Sequence, residues 1–203
     1  MKTAQATDFA DETRQQILNA AINRFGHYGY NKTTMAEIAE DIGMSAANLY
    51  RYFQNKQDIA AACASNCMCQ RVDLLRQAVR KPGLSAVEQL ENYVMTTLED
   101  CYEAFSTDTK INEIVAFITN ERPDLVHKKS DAQRQLIAEI LAYGNETGEF
   151  AIQDIPATAN AVHSSLVVFD VPLFMTLYSL EEFREKAGGV FSLLLQGLQK
   201  RDQ

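Results

Sequence analysis

The sequence has no uninterrupted apolar run approaching the ~18 residues of a membrane-spanning helix. Its opening stretch, MKTAQATDFADE, lacks the apolar centre of a secretory signal. Together these absences lead to the expectation of a cytoplasmic protein with no membrane partner. Enzymatic signatures are missing too. There is no Walker-type Gly-rich loop, no Gly-x-Ser-x-Gly elbow, no His-Glu-x-x-His helix and no Cys-x-x-Cys pair. Glu181, Glu182 and Glu185 have the pattern of a solvated face, so no catalytic role is assigned. Cationic charge is scarce: 19 Lys/Arg against 27 Asp/Glu give a formal net charge of −8. Bulk attraction to nucleic acid is thereby excluded, but the acidity is unevenly placed. Residues 1–60 carry six Lys/Arg and seven Asp/Glu, and the remainder thirteen and twenty. Any nucleic-acid contact must then rest on a few local groups, with weak non-specific binding and the acidic part held away. No internal repeat, low-complexity tract or strand-rich region appears. The 203 residues, 46% of them hydrophobic, suffice for one core or two small domains.

The most informative stretch is Thr33 to Lys56, TTMAEIAEDIGMSAANLYRYFQNK. Thr34 and Glu37 have the spacing of a capping box. Met35, Ile38, Ala39 and Ile42 then recur on one helical face, opposite Glu37, Glu40 and Asp41. Gly43 stands where a helix must end, and Ser45 is placed to cap the next one. That second helix, about Ala46 to Phe53, is too short to stand alone and must be held through Leu49 and Phe53. Its other face carries Ala46, Ala47, Asn48, Tyr50 and Arg51. Small residues there permit close approach to a groove, an Asn can pair bidentately with adenine, and Tyr and Arg suit phosphates. Lys56 opens the next helix, where a cation opposes the helix dipole, so a phosphate partner is the expected reason for it.

These residues resemble the DNA-binding domain of the TetR (tetracycline-repressor-like) family of bacterial transcription regulators. The resemblance is carried by Gly26-x-x-Gly29-Tyr30-x-x-Thr33-Thr34, Ile38-Ala39, Gly43-x-Ser45, Leu49-Tyr50-x-Tyr52-Phe53 and Asn55-Lys56. It implies a helix like Thr13–Tyr28 packed behind the helix-turn-helix. It also implies phosphate contacts from Thr33, Thr34, Tyr50 and Lys56, and base edges facing Ala46, Ala47 and Asn48. Ser45, Arg51 and Tyr52 complete the candidate DNA-binding set.

The expected fold is all-α: a helix-turn-helix domain over 1–55, and a helical ligand-binding and dimerisation domain over 56–203. A connector helix should span Lys56 to about Val79, capped by Asn55 and ended before Lys81-Pro82-Gly83. Further helices are expected from Ser85-x-x-Glu88 to about Phe105, Lys110 to Thr119, and Pro123 to Tyr143 or beyond. Asp154-x-Pro156 should introduce a long apolar helix, Ala157–Leu177, kinked at Pro172. Ser179-x-x-Glu182 should open the last, Leu180 to about Leu198. Its apolar face includes Phe183, Ala187, Val190, Phe191, Leu194, Leu195 and Leu198, with Gly188-Gly189 allowing close approach. The resemblance implies that these last two helices build a homodimer. Paired reading heads would then match a palindromic operator in double-stranded DNA.

The resemblance also implies a small-molecule effector enclosed by the middle helices. Candidate lining residues are Tyr93, Cys101, Tyr102, Phe105, Phe117, Tyr143, His163 and Phe169, a set suited to a largely apolar ligand. The expected function is a regulator, most simply a repressor released from its operator by that ligand. Two alternatives are a DNA-bound protein whose second domain takes a partner protein, and a thiol- or metal-responsive regulator. Cys63 and Cys67 share one helical face, whereas Cys69 is turned about 160° from Cys67. Only the first two, with Cys101 or His163, could share an ion. Reduced cysteines packed as small apolar residues are the simpler reading, and no metal or cofactor is assigned.

Overall fold

The computed structural model describes residues 2–107 and 110–199, with side chains from residue 11 onward. The helices are α1 (Lys2–Tyr28), α2 (Met35–Asp41), α3 (Ala46–Leu49), α4 (Lys56–Val79), α5 (Ala86–Thr107), α6 (Ile111–Glu121), α7 (Pro123–Thr147), α8 (Ile155–Ser165), α9 (Val167–Asp170) and α10 (Leu180–Leu198). A 3-10 turn spans Pro172–Thr176. The fold is all-α. Among the described residues the one extended pairing is an isolated bridge between Phe150 and Gln199. Two compact units form. The first takes α1 to α3, α4 as far as Cys67, α6 and α7 as far as Leu125; the second takes the rest of α4, α5, the rest of α7 and α8 to α10.

Local chemistry starts most of these helices. Thr34 and Glu37 form a reciprocal capping box on α2, and Ser179 and Glu182 form another on α10. The Ser45 hydroxyl accepts from Asn48 N–H, the Asp154 carboxylate from Ala157 N–H, and the Asn55 side chain from Asp58 N–H. At α5 the Ser85–Glu88 pair is joined by an unforeseen partner. Glu149 accepts from the N–H groups of Ala86 and Val87, at 3.0 and 3.2 Å. Burial raises the Glu149 pKa, but those two amides and the Thr147 hydroxyl outweigh it and hold the group below the usual carboxylate range.

Three expectations about helix extent are corrected. α1 begins at Lys2, well before Thr13. α3 is regular only from Ala46 to Leu49, after which the chain tightens, with Arg51 N–H bonded to Asn48 O and Tyr52 N–H to Leu49 O. The expected helix Ala157–Leu177 is broken twice. At Leu166 the N–H turns back to His163 O. At Val171 the backbone is extended, φ −117° and ψ 116°, because a residue before proline is pushed out of the α region. Pro172 therefore ends the helix instead of kinking it.

The core of the second unit gathers Leu90, Tyr93, Val94, Leu98 and Cys101 from α5, Ile137, Ile140 and Leu141 from α7, and Phe169, Met175, Phe183 and Ala187 from the later segments. Gly144 lies beneath the Phe150 ring, and a Cβ there would meet Phe150 Cδ2 at 2.0 Å. Phe150 is 3% exposed and so has nowhere to retreat. Gly144→Ala should lower the stability of the second unit by about 1–3 kcal/mol, the usual cost of overpacking. A urea titration followed by far-UV circular dichroism checks this, and an unchanged midpoint would show that Phe150 can move aside.

Candidate functional site

The first unit is organised around holding a four-residue helix. Ile17, Ala21 and Phe25 of α1, Ile38 and Ala39 of α2, and Ile59 and Ala60 of α4 enclose Leu49 and Phe53. Burying those two side chains contributes roughly 1.5–3 kcal/mol each. On the opposite side Ser45, Ala47, Tyr50 and Arg51 are exposed, and Ala46, Asn48 and Tyr52 are half-buried. Tyr50 is 53% exposed next to a fully buried Leu49, so the four-residue helix shows one face to the core and the other to solvent. Gly43, at φ +65°, supplies the left-handed turn between the two helices.

Three basic side chains fix this arrangement. Arg14 donates to Tyr52 O at 3.2 Å, and its guanidinium lies 4.1 Å from the Phe53 ring centre. Arg24 grips both Asp41 oxygens, at 2.5 and 2.8 Å, and stands 3.4 Å from Glu37. This bidentate bond holds the Asp41 carboxyl below its usual pKa range. Lys56 Nζ donates to the carbonyls of Tyr30, Asn31 and Thr33, at 2.7, 3.4 and 2.9 Å. It also lies 4.4 Å from the Tyr30 ring centre. Burial lowers the Lys56 pKa, while Glu113 and Glu37 act in the opposite direction.

Two expected phosphate contacts take different positions here. Sequence alone points to an external phosphate for Lys56, which opposes the α4 dipole; in the structure three carbonyls supply a partner from inside. Thr33 is 2% exposed and donates its hydroxyl to Gly29 O at 2.8 Å, so its side chain faces the interior. Thr34 is exposed, although its hydroxyl already caps α2.

α6 packs within this same unit, a partnership with no local signal in the sequence. Glu113 accepts from Asn31 N–H at 3.0 Å. Phe117 stacks on Tyr30 with centroids 4.7 Å apart. A Cβ on Gly29, which sits at φ +91°, would come within 2.7 Å of Glu113 Oε1. The loop Gly29–Thr33 is thus held from both sides, by a carboxylate on its N–H and an ammonium on its carbonyls.

The candidate effector residues do not all come together. Tyr93, Cys101 and Phe169 are buried in the second unit's core, with Tyr102 and Phe105 packed against it. His163 is half-buried, with Nε2 3.3 Å from Gln133 Oε1, and burial is the first cause of its lowered pKa. Phe117 belongs to the first unit, and Tyr143 is 38% exposed on α7, so neither joins that cluster. Among the described residues no group of three His, Cys, Asp or Glu is placed to hold a metal ion. Burial, with Cys67 adding to it, pushes the Cys63 thiol up to about 12, far from a reactive thiolate. Cys67 and Cys69 are exposed. No helix among the described residues is long and apolar enough to cross a membrane.

Residues 17–63 match the family described as bacterial regulatory proteins, tetR family, and residues 86–191 match the tetracyclin repressor-like C-terminal domain. The transcriptional repressor BepR of Brucella suis is 29% identical over 136 residues, 66% of this chain and 63% of that protein. The regulator YdgC of Bacillus subtilis is 26% identical over 54% of this chain and 56% of its own length, so the chain spans under two thirds of either relative. A solved transcriptional regulator from Cytophaga hutchinsonii superposes with a TM-score of 0.69 at 26% identity, covering 92% of this chain and 98% of that one. Another, from Thermobifida fusca, gives a TM-score of 0.69 at 19% identity over 93% of this chain and 100% of that one, a likeness of fold.

The division of labour among the cations generates a test. Lys56→Met should lower the stability of the first unit by about 1–3 kcal/mol, since carbonyls lose a charged donor. It should weaken DNA binding without changing the salt dependence. Arg51→Ala should instead reduce the slope of log K against log salt by about 1. Anisotropy titrations at several salt concentrations separate the two; a reduced slope for Lys56→Met would put its ammonium on a phosphate after all.

Proposed function

The chain belongs to the tetR family of bacterial regulatory proteins, and on that premise we propose that it is a sequence-specific DNA-binding repressor whose operator affinity falls when its second unit takes up a small molecule. The observation that carries this is the exposed row Ser45, Ala47, Tyr50 and Arg51, with Asn48 beside it, on and flanking a helix too short to exist without its scaffold. Ala46, Ala47 and Asn48 face base edges in the major groove, Tyr50 and Arg51 take phosphates, and Thr34 and Tyr52 border them. Effector binding favours a dimer whose two heads no longer match the half-site spacing, and DNA dissociates by population shift. Linkage then requires operator DNA to weaken effector binding by the same factor.

The homodimer forms through the last segments of the chain. Phe183, Ala187, Phe191 and Leu198 point into the unit's own core, so part of the apolar face of α10 is used internally. What remains outside is still unusually apolar: Leu193 is 70% exposed, Leu177 57% and Leu173 55%. Gly188 and Gly189 have open space where a Cβ would stand, as close helix approach needs. An outward apolar set of this kind supports an interface.

Fluorescence anisotropy of the full chain against duplexes flanking its own coding sequence tests the central reading. Saturable binding that survives excess non-specific DNA is expected, and Tyr50→Ala should abolish it. Failure to bind at low salt would overturn the repressor reading. Leu193→Glu should convert a dimer to a monomer in sedimentation velocity with its helical content intact. A variant that stayed dimeric would remove α10 from the interface.

A further inference from the structure

The structure turns two expected phosphate contacts, Thr33 and Lys56, inward and leaves a different cation outside. In the loop before α2, Tyr30 and Thr33 are 8% and 2% exposed, whereas Asn31 and Lys32 between them face solvent. Both buried neighbours are tied down. The Tyr30 ring lies against Phe25 and stacks on Phe117, and the Thr33 hydroxyl donates to Gly29 O. Asn31 and Lys32 therefore form a two-residue tip between fixed anchors. The backbone of the tip is held as well. Asn31 N–H donates to Glu113 Oε2 at 3.0 Å, and Lys56 Nζ donates to the carbonyls on either side of the tip, Tyr30 O at 2.7 Å and Thr33 O at 2.9 Å.

The Lys32 side chain has no hydrogen bond or ion pair among the described residues. Arg14, Arg24 and Lys56, by contrast, are all bonded inside the unit. Because Lys56 closes the segment that follows α3, its bonds bring the tip beside that segment, and Thr34 is exposed two residues further on. An ammonium is a compact point charge with three donors, suited to a phosphate oxygen. A lysine on a loose loop loses backbone freedom when it meets such a partner; a tip already fixed at both ends avoids that part of the cost.

We propose that Lys32 is a phosphate contact of the DNA surface, alongside Arg51, and that Glu113 is its positioning residue, acting from α6 through Asn31 N–H. This rests on the DNA-binding reading and adds to it a cation that stands outside the helix-turn-helix itself, in place of the inward-turned Lys56.

Anisotropy titrations of the full chain against the duplexes flanking its coding sequence, at several salt concentrations, test both parts. Lys32→Ala should reduce the slope of log K against log salt by about 1 for each reading head bound, as is expected of Arg51→Ala, with an unchanged thermal midpoint. Lys81→Ala removes an equal charge from an exposed position in the second unit and should leave the slope alone. A wild-type slope for Lys32→Ala, or an equal loss for Lys81→Ala, would overturn the contact. For the positioning role, Glu113→Ala is compared with Glu113→Gln, which loses the same charge but keeps an acceptor for Asn31 N–H. The Ala variant should bind roughly three- to tenfold more weakly than the Gln variant, the cost of ordering a freed tip. Equal affinities would overturn that role. A chain that loses slope at Arg51 but not at Lys32 binds DNA without this contact, whereas a wild-type chain that binds no duplex at low salt sinks the DNA reading and this one with it.

Discussion

The first unit depends on one constraint: the element that carries its proposed DNA surface is a helix of four residues, and such a helix has no stability of its own. Everything around it compensates. Leu49 and Phe53 anchor it from below, and Ser45 caps its start. Arg14 holds the Tyr52 carbonyl at its end, and the Arg24–Asp41 pair ties α2 to α1. Rigidity of this kind has a functional meaning, because a surface already in its binding geometry loses less entropy when it meets a partner.

The same scaffold bears on how a chain of net charge −8 would meet DNA under the proposed function. Of the Lys and Arg side chains described in the first sixty residues, Arg14, Arg24 and Lys56 are engaged inside the unit, and Lys32 and Arg51 are exposed. Few cations remain for phosphates. On the proposed function, binding would lean on shape and on the small residues Ala46 and Ala47, with weak non-specific attraction. Glu113 adds to this economy. By accepting from Asn31 N–H it brings α6, distant in sequence, onto the loop that precedes α2.

What could be read from the sequence divides along a physical line. Helix starts are set by hydrogen bonds between residues three apart, so Thr34–Glu37, Ser45, Asn55, Ser85–Glu88, Asp154 and Ser179–Glu182 marked them in advance. The all-α class rests on these caps and on helical apolar spacing, and the family resemblance on the motif residues between Gly26 and Lys56. Extents were harder to read: neither the tightening after Leu49 nor the break at Val171 has a periodic signature strong enough to override an apolar run. Long-range partnerships left no local trace. Glu113 and Asn31 are 82 positions apart, Phe117 packs in the first unit although its aromatic character suggests an effector residue, and Lys56 and Thr33 turn inward to partners that only the folded chain supplies. The candidate DNA surface was legible as a row of small, polar and basic residues; which of its side chains are spent on the scaffold was not.

The most direct measurement is native-state hydrogen exchange of the backbone amides of Leu49 to Phe53 in the DNA-free protein, set beside those of Ile38 and Ile42 in α2. A helix held by its scaffold exchanges only when the whole unit opens, so both sets should show the same opening free energy and the same dependence on denaturant. Leu49–Phe53 exchanging rapidly while α2 stays protected would contradict this, and would mean that the reading surface is built on contact with DNA and not before it.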